Sequence, residues 1–507
     1  MVNLMQIFKN ANFLSMDTQN RSFNILIEDK GKICFTGNDI PEKYSGCKTT
    51  DLDGSTVLPG FGDTHLHFIS DSFFNAGLDL RGVRSEEELK QKIHVYETHK
   101  KTKITLGFGL SPHLLDQRAL PTKSVLDKIT TRPTLIVKYD GHAGVANTSF
   151  ISMLGLEIEK TKGFVHETGH FYLDSFYKAT DFASKQVSIL TLIKSMLINS
   201  KVMAKKGICF FHACEGVGFP LDLDITILKT LRHFLLQDIS IFFQTTDLGK
   251  IKKRKFKRVG GCFETALDGC FGSLDAALTQ SYTNDTGNYG NLYFTQDKLN
   301  DFVLKAHQQH LQVALHAIGD LAIEQALTAF EYAQTIEPRQ DPRHIIIHAC
   351  LLNDNLIKRI ARLNIQLAVQ TAFLDWPEEP LGYLDSILGK RTQNILPLKK
   401  ILDNQIIMAN GSDAPCTLPD PIMGIHKACN HFVREQSISV LDAIKMFTIW
   451  AAWLGFEENL RGSLEVGKYC DLVVLDKNPL TIIKENLKDL IIKAVYIRGK
   501  TVYKPDK

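Results

Sequence analysis

An α/β fold built on a parallel (β/α)8 barrel, the TIM barrel, is what this sequence predicts, with a large insertion after the first barrel strand and a small composite β-sandwich formed by both termini. Three observations carry the prediction. Eight short apolar runs alternate with longer helical patterns, both chain ends hold short strand-like runs broken by turn residues, and the stretch 70–200 holds apolar runs that the count of eight does not use. The expected boundaries are 1–56 and 460–507 for the sandwich and 57–459 for the barrel, with the insertion at about 70–200.

In chain order, Phe23 to Ile27 and Lys32 to Phe35 are strand-like and are punctuated by Asp29-Lys30-Gly31 and Gly37-Asn38-Asp39. The barrel runs are Thr56 to Leu58 leading into Asp63 to His67, then Gly207 to His212, Ile239 to Gln244 and Gly261 to Thr265. They continue as Gln312 to His316, His344 to His348, Ile365 to Gln370 and Ile406 to Asn410. Helical spacing follows several of them, most clearly Leu321 to Phe330 after the fifth. Ile104 to Phe108 and Leu135 to Tyr139 are the surplus runs that define the insertion. Asp471 to Leu475, Ala494 to Ile497 and Thr501 to Tyr503 close the chain as strands around a Gly499-Lys500 turn.

Composition narrows the function classes. A net charge of +3 over 507 residues leaves no electrostatic footprint of a nucleic-acid binder. The basic run from Lys250 to Arg258 reads as a solvated connection, given the near-neutral total and the absence of an aromatic-interleaved groove signature. No apolar stretch approaches the ~20 residues of a membrane helix, and the first residues lack a secretory pattern, so a cytoplasmic, membrane-free protein is expected. The ten cysteines form no CxxC pair, which favours buried free thiols over disulfides or a structural zinc knuckle.

The chemistry concentrates in Leu58-Pro-Gly-Phe-Gly-Asp-Thr-His65-Leu-His67. Residues i and i+2 of a strand share a face, so these histidines converge at the end of the first barrel strand. The fifth and sixth runs each end in a histidine, His316 and His348, and the eighth is followed by Asn410-Gly-Ser-Asp413. Catalytic groups of this barrel sit at the C-terminal ends of strands, so the four imidazoles and the carboxylate face one mouth. Two metals there would need an anionic bridge, for which Glu264 on the fourth strand is the available carboxylate. Asp268 has the same parity but belongs to an Asp-Gly turn.

With these segments in place the chain resembles the amidohydrolase superfamily, within it the group of metal-dependent hydrolases that includes N-substituted formamide deformylase. The likeness also rests on Asp140-Gly-His142, His316-Ala-Ile-Gly-Asp320, Gly411-Ser-Asp-Ala-Pro415 and the closing Gly462-Ser-Leu-Glu-Val-Gly-Lys. It implies that His65 and His67 bind one metal, that His316 and His348 bind a second, and that Asp413 is both ligand and proton shuttle. The family's carboxylated lysine, four residues before an Asp-Gly, is replaced by Glu264, which leaves one or two metals open. Zinc is the first expectation, with iron, manganese or nickel compatible. His142 resembles the family's Asp-Gly-His motif and would donate to a substrate oxyanion.

The expected activity is therefore hydrolysis of a C–N bond in an amide-like small molecule by metal-activated hydroxide. A mononuclear deaminase of an amidine-like ring is one alternative, but its Glu shuttle after the strand-five histidine is missing from Ala317-Ile-Gly-Asp320. A non-catalytic barrel used as an assembly module is the other, and it would be expected to lose ligands that are all present here. Beyond the substrate, the only partner anticipated is a second copy of the chain in a homo-oligomer.

Overall fold

The computed structural model describes residues 5–217 and 219–505. Eight strands pair in parallel in chain order: β1 (Phe61–Leu66), β2 (Ile208–Glu215), β3 (Asp238–Phe243), β4 (Arg258–Ala266), β5 (Gln312–Ala317), β6 (Ile345–His348), β7 (Gln366–Val369) and β8 (Met408–Asn410). Each coincides with one expected run. These strands are covered on both faces, which is why β2, β5 and β6 are buried along their whole length and read as continuous apolar runs rather than alternating ones.

The circle is drawn together at its C-terminal rim. Asp413 N donates to His65 O at 2.7 Å and His67 N donates to Ala414 O at 2.8 Å, so the loop after β8 lies along the end of β1. Only glycine fits where the two backbones meet: a Cβ at Gly411 would stand 2.6 Å from His65 N.

Thr56 to Leu58, expected to open the barrel, belong instead to the long strand Lys48–Pro59 of the terminal sheet. The boundary therefore falls at Gly60, because Val57 pairs with Phe13 and Leu58 with Val473 rather than with a barrel neighbour. This terminal sheet holds eight strands from both chain ends, with Lys48–Pro59 between Gln6–Leu14 and Leu472–Leu475. The Phe8 and Tyr496 rings lie 4.9 Å apart although two strands separate theirs in the sheet, so the sheet curls around its own apolar core.

Between β1 and β2 the chain builds a second, six-stranded mixed sheet. Thr105–Leu110 and Thr134–Lys138, which overlap the two surplus runs, are neighbouring parallel strands in it. The helix Ile189–Lys205 then returns the chain to β2 and packs on the helix Phe68–Asn75, with Ser195 Oγ donating to Ser72 O at 2.5 Å and Asn199 Nδ2 donating to Asp71 Oδ2 at 2.7 Å. Among the described residues no single helix is long and apolar enough to cross a membrane.

Candidate active site

Five of the expected residues meet at the barrel mouth. His65 is carried by β1, His67 stands one residue past it, His316 lies in β5, His348 ends β6, and Asp413 follows β8. All five are buried. Asp413 Oδ1 is 3.1 Å from His65 Nε2 and 3.5 Å from His67 Nε2. The His348 ring centroid lies 5.3 Å from that of His65 and 4.6 Å from that of His316. His348 and Asp413 both adopt positive φ, 71° and 57°, a backbone region that side chains avoid unless their surroundings impose it.

What surrounds the rings fixes which nitrogen faces the centre. His67 Nδ1 lies 3.1 Å from the Cys214 carbonyl oxygen and His348 Nδ1 lies 2.7 Å from Gln370 Oε1. A carbonyl only accepts, so each Nδ1 carries the proton and each Nε2 presents its lone pair inward. His316 Nδ1 stands 3.3 Å from Asp268 Oδ1 but makes no hydrogen bond to it. Burial lowers the basicity of His65, His316 and His348, keeping these imidazoles neutral, the form that binds a metal.

Glu264 is not part of this group. It is exposed, and Cys262, two residues earlier, occupies the central position instead. The cause is a break in β4: Gly261 pairs with Leu315, and the next pair is Ala266 with His316, so four residues bulge out against a single step of β5. Counting parity through that bulge as if the strand were regular puts the wrong side chain inside. Gly260 and Gly261 enter it at φ of 108° and 134°, and a Cβ at Gly260 would meet Ala314 O at 1.9 Å. Cys262 N is then anchored on Gln244 Oε1 at 2.8 Å, and its Sγ sits 3.5 Å from His65 Nε2 and 3.8 Å from His348 Nε2. The Gly-Gly pair inside a strand run was the available signal of this irregularity.

The donor atoms form three overlapping groups, each within 4.8 Å: His65, His67 and Cys262; Cys262, His316 and His348; and His65, His348 and Asp413. Cys262 is shared by the first two, which together contain all four histidines. Without a cation, burial pushes its thiol well above the ordinary range, whereas a coordinated thiol is deprotonated outright.

Asp268 is fully buried but directed elsewhere. Its carboxylate accepts from Ile318 N at 3.0 Å, Gly319 N at 2.8 Å and Ala277 N at 2.9 Å, so it pins the loop after β5. Asp320 is the first residue of the helix after β5, and its carboxylate accepts from Thr279 N at 2.9 Å. Asp63, not singled out from the sequence, accepts Ser412 N at 2.9 Å and ties β1 to the loop that carries Asp413.

His142 reaches the mouth from the insertion and lines the same cavity of about 150 Å³ as His67, His316, His348 and Asp413. A buried ion pair fastens this segment. Lys138 Nζ is 2.7 Å from Asp140 Oδ2 and also donates to Gly272 O at 2.9 Å and Ser273 Oγ at 3.0 Å in the loop after β4. Burial alone would raise the Asp140 carboxyl, but Lys138 and His142 outweigh it and hold the group well below the ordinary range. Asp140 Oδ1 accepts His142 N at 3.2 Å, so the pair sets where His142 stands.

Beside this pair, Glu379 accepts the Tyr139 hydroxyl at 2.8 Å, and burial pushes its carboxyl up from 4.5 to about 7. The folded chain thus keeps a proton that the unfolded chain releases at lower pH. The associated stability is fully present below about pH 4.5 and is lost as pH rises through about 7. Glu379→Gln is expected to match the parent near pH 4 and to be more stable near pH 8 by on the order of 1–3 kcal/mol. Urea midpoints at the two pH values check this, and equal midpoints at pH 8 would refute the assignment.

Comparison with known proteins agrees with the geometry. A family model described as "Amidohydrolase family" matches residues 48–184 and 255–503. The Bacillus subtilis (strain 168) protein YtcJ is 27% identical, with 97% of this chain and 98% of the relative covered. N-substituted formamide deformylase of Arthrobacter pascens is 22% identical with 97% of each chain covered. An uncharacterized metal-dependent hydrolase of Pyrococcus horikoshii OT3 superposes with a TM-score of 0.78 at 24% identity, covering 95% of this chain and 99% of that one.

Proposed function

Since the chain belongs to the amidohydrolase family, we propose that it hydrolyses a C–N bond of an amide-like small molecule with one or two divalent metal ions, zinc foremost. The ions would be held by His65, His67, His316, His348, Cys262 and Asp413. The observation that carries this reading is the position of Cys262 Sγ in two of the three three-donor groups, where a single anion can serve two cations. Imidazole and thiolate donors suit zinc better than the harder manganese.

A cation bound there supplies Lewis acidity and lowers the pKa of water from 15.7 toward about 7. The protein's own groups do the rest. Asp413 Oδ1, beside His65 and His67, accepts the proton of the attacking water and returns it to the departing nitrogen. His142, held through Asp140, donates to the carbonyl oxygen as negative charge develops on it. Gln370 and the Cys214 carbonyl keep the His348 and His67 imidazoles aligned.

Elemental analysis after chelator-free purification tests this. About one to two equivalents of transition metal are expected, lost with chelator and recovered on adding zinc. A content under roughly a tenth of an equivalent, with no uptake of zinc or manganese, would overturn the reading.

A further inference from the structure

Resting on the hydrolase reading, we infer that the substrate is an uncharged amide with apolar, aryl-type groups on both sides of the scissile bond, and that a substrate bearing a carboxylate is rejected. Two separate chains of aromatic rings line the cavity. One begins on the helix directly after His67: Phe219 and Phe73 have centroids 6.2 Å apart, Phe73 and Phe74 5.2 Å, Phe74 and Phe108 4.6 Å. The other begins on a site histidine itself. Phe373 stacks on His348 at 5.9 Å and 20°, and Trp376 stacks on Phe373 at 4.8 Å and 10°. All six of these rings line the cavity.

An amide whose carbonyl sits at the cluster would therefore meet a ring wall on its acyl side and another on its amine side. Aromatic rings are stabilised in such offset and edge contacts beyond the area they bury. Charge points the same way. Among the described residues no Lys or Arg lines the cavity, and apart from the site groups its ionisable wall residues include the carboxyls Asp140, Glu215 and Glu379. Asp140 is already neutralised by Lys138, and Glu215 accepts Ile69 N at 2.9 Å at the start of the helix after His67. A substrate carboxylate would enter an apolar wall that offers it no Lys or Arg, so its burial there would be uncompensated.

The test uses a matched pair on the zinc-loaded protein: N-benzylphenylacetamide, and its analogue carrying a carboxylate on the benzylic carbon. Amine release and calorimetric binding are both read. The neutral amide is expected to bind and to be cleaved with kcat/KM at least about 100-fold above the charged analogue. Trp376→Ala and Phe108→Ala, one from each wall, are expected to raise KM roughly tenfold with metal content unchanged. Binding of the neutral amide that Trp376→Ala weakens, with no cleavage of either compound, would support the ligand class and overturn the hydrolase reading. Preference for the charged analogue, or no binding of the neutral one, would overturn the inference while leaving hydrolysis to stand on its own assay.

Discussion

Cys262→Ala is expected to empty the site of metal, whereas Glu264→Gln is expected to leave metal content and turnover at parental levels. Among the described residues the thiol is the side chain shared by the two donor groups that contain all four histidines, whereas the Asp413 carboxylate groups only with His65 and His348, so the thiolate is the anion placed to serve two cations. Glu264 is in solvent, on the outer side of the β4 bulge. Losing a partner that merely orients a ligand typically costs 10–100-fold in affinity or activity. Loss of the shared donor should exceed that range, with circular dichroism unchanged because alanine is smaller than the buried thiol. Cys262→Ser, which restores an oxygen donor without a readily ionised one, should recover only part of the metal. If Cys262→Ala retains full metal and Glu264→Gln loses it, the central role of Cys262 is wrong.

Asp413→Asn is expected to keep most of the metal and to lose most of the turnover. The substitution preserves volume and an oxygen donor toward His65 and His67 but removes the basic site. Burial alone would raise the Asp413 carboxyl, yet the contacts from these two imidazoles hold it well below the ordinary range, so it is anionic. General acid–base catalysis contributes typically 10²–10⁴-fold, or roughly 3–5 kcal/mol of barrier, and kcat should fall by that amount. His65→Asn should instead strip metal. Near-parental kcat in Asp413→Asn would assign the proton to another group, with His142 the next to test.

The barrel was legible because its strands are buried on both faces and end where their chemistry begins. His316 and His348 closing two apolar runs, and Asp413 just beyond a third, give the mouth without any knowledge of packing. Glu264 was misassigned for a reason equally physical: alternation of faces holds only while the ladder is regular, and β4 departs from it for four residues. Cysteine spacing pointed away from metal because Cys262 has no ligand near it in sequence; its histidine neighbours arrive from β1 and β6. Gln370 closes the seventh run just as His348 closes the sixth, but an amide that orients a ring leaves no pattern of its own. The pairing of the insertion strands depended on contacts between segments that apolar runs alone do not specify.

The terminal sheet sets the order of events during synthesis. Lys48–Pro59 pairs on one side with Gln6–Leu14, made within the same few seconds, and on the other with Leu472–Leu475. Roughly 400 residues separate those partners, which at about 5–20 residues per second is a wait of roughly 20–80 s. For that interval the strand that leads into β1 presents an unpaired edge, the kind that recruits another chain. The barrel mouth can assemble only as Asp413 emerges, and the sheet behind it closes later still. The nascent chain therefore spends most of its translation with one backbone edge of Lys48–Pro59 still without its strand partner.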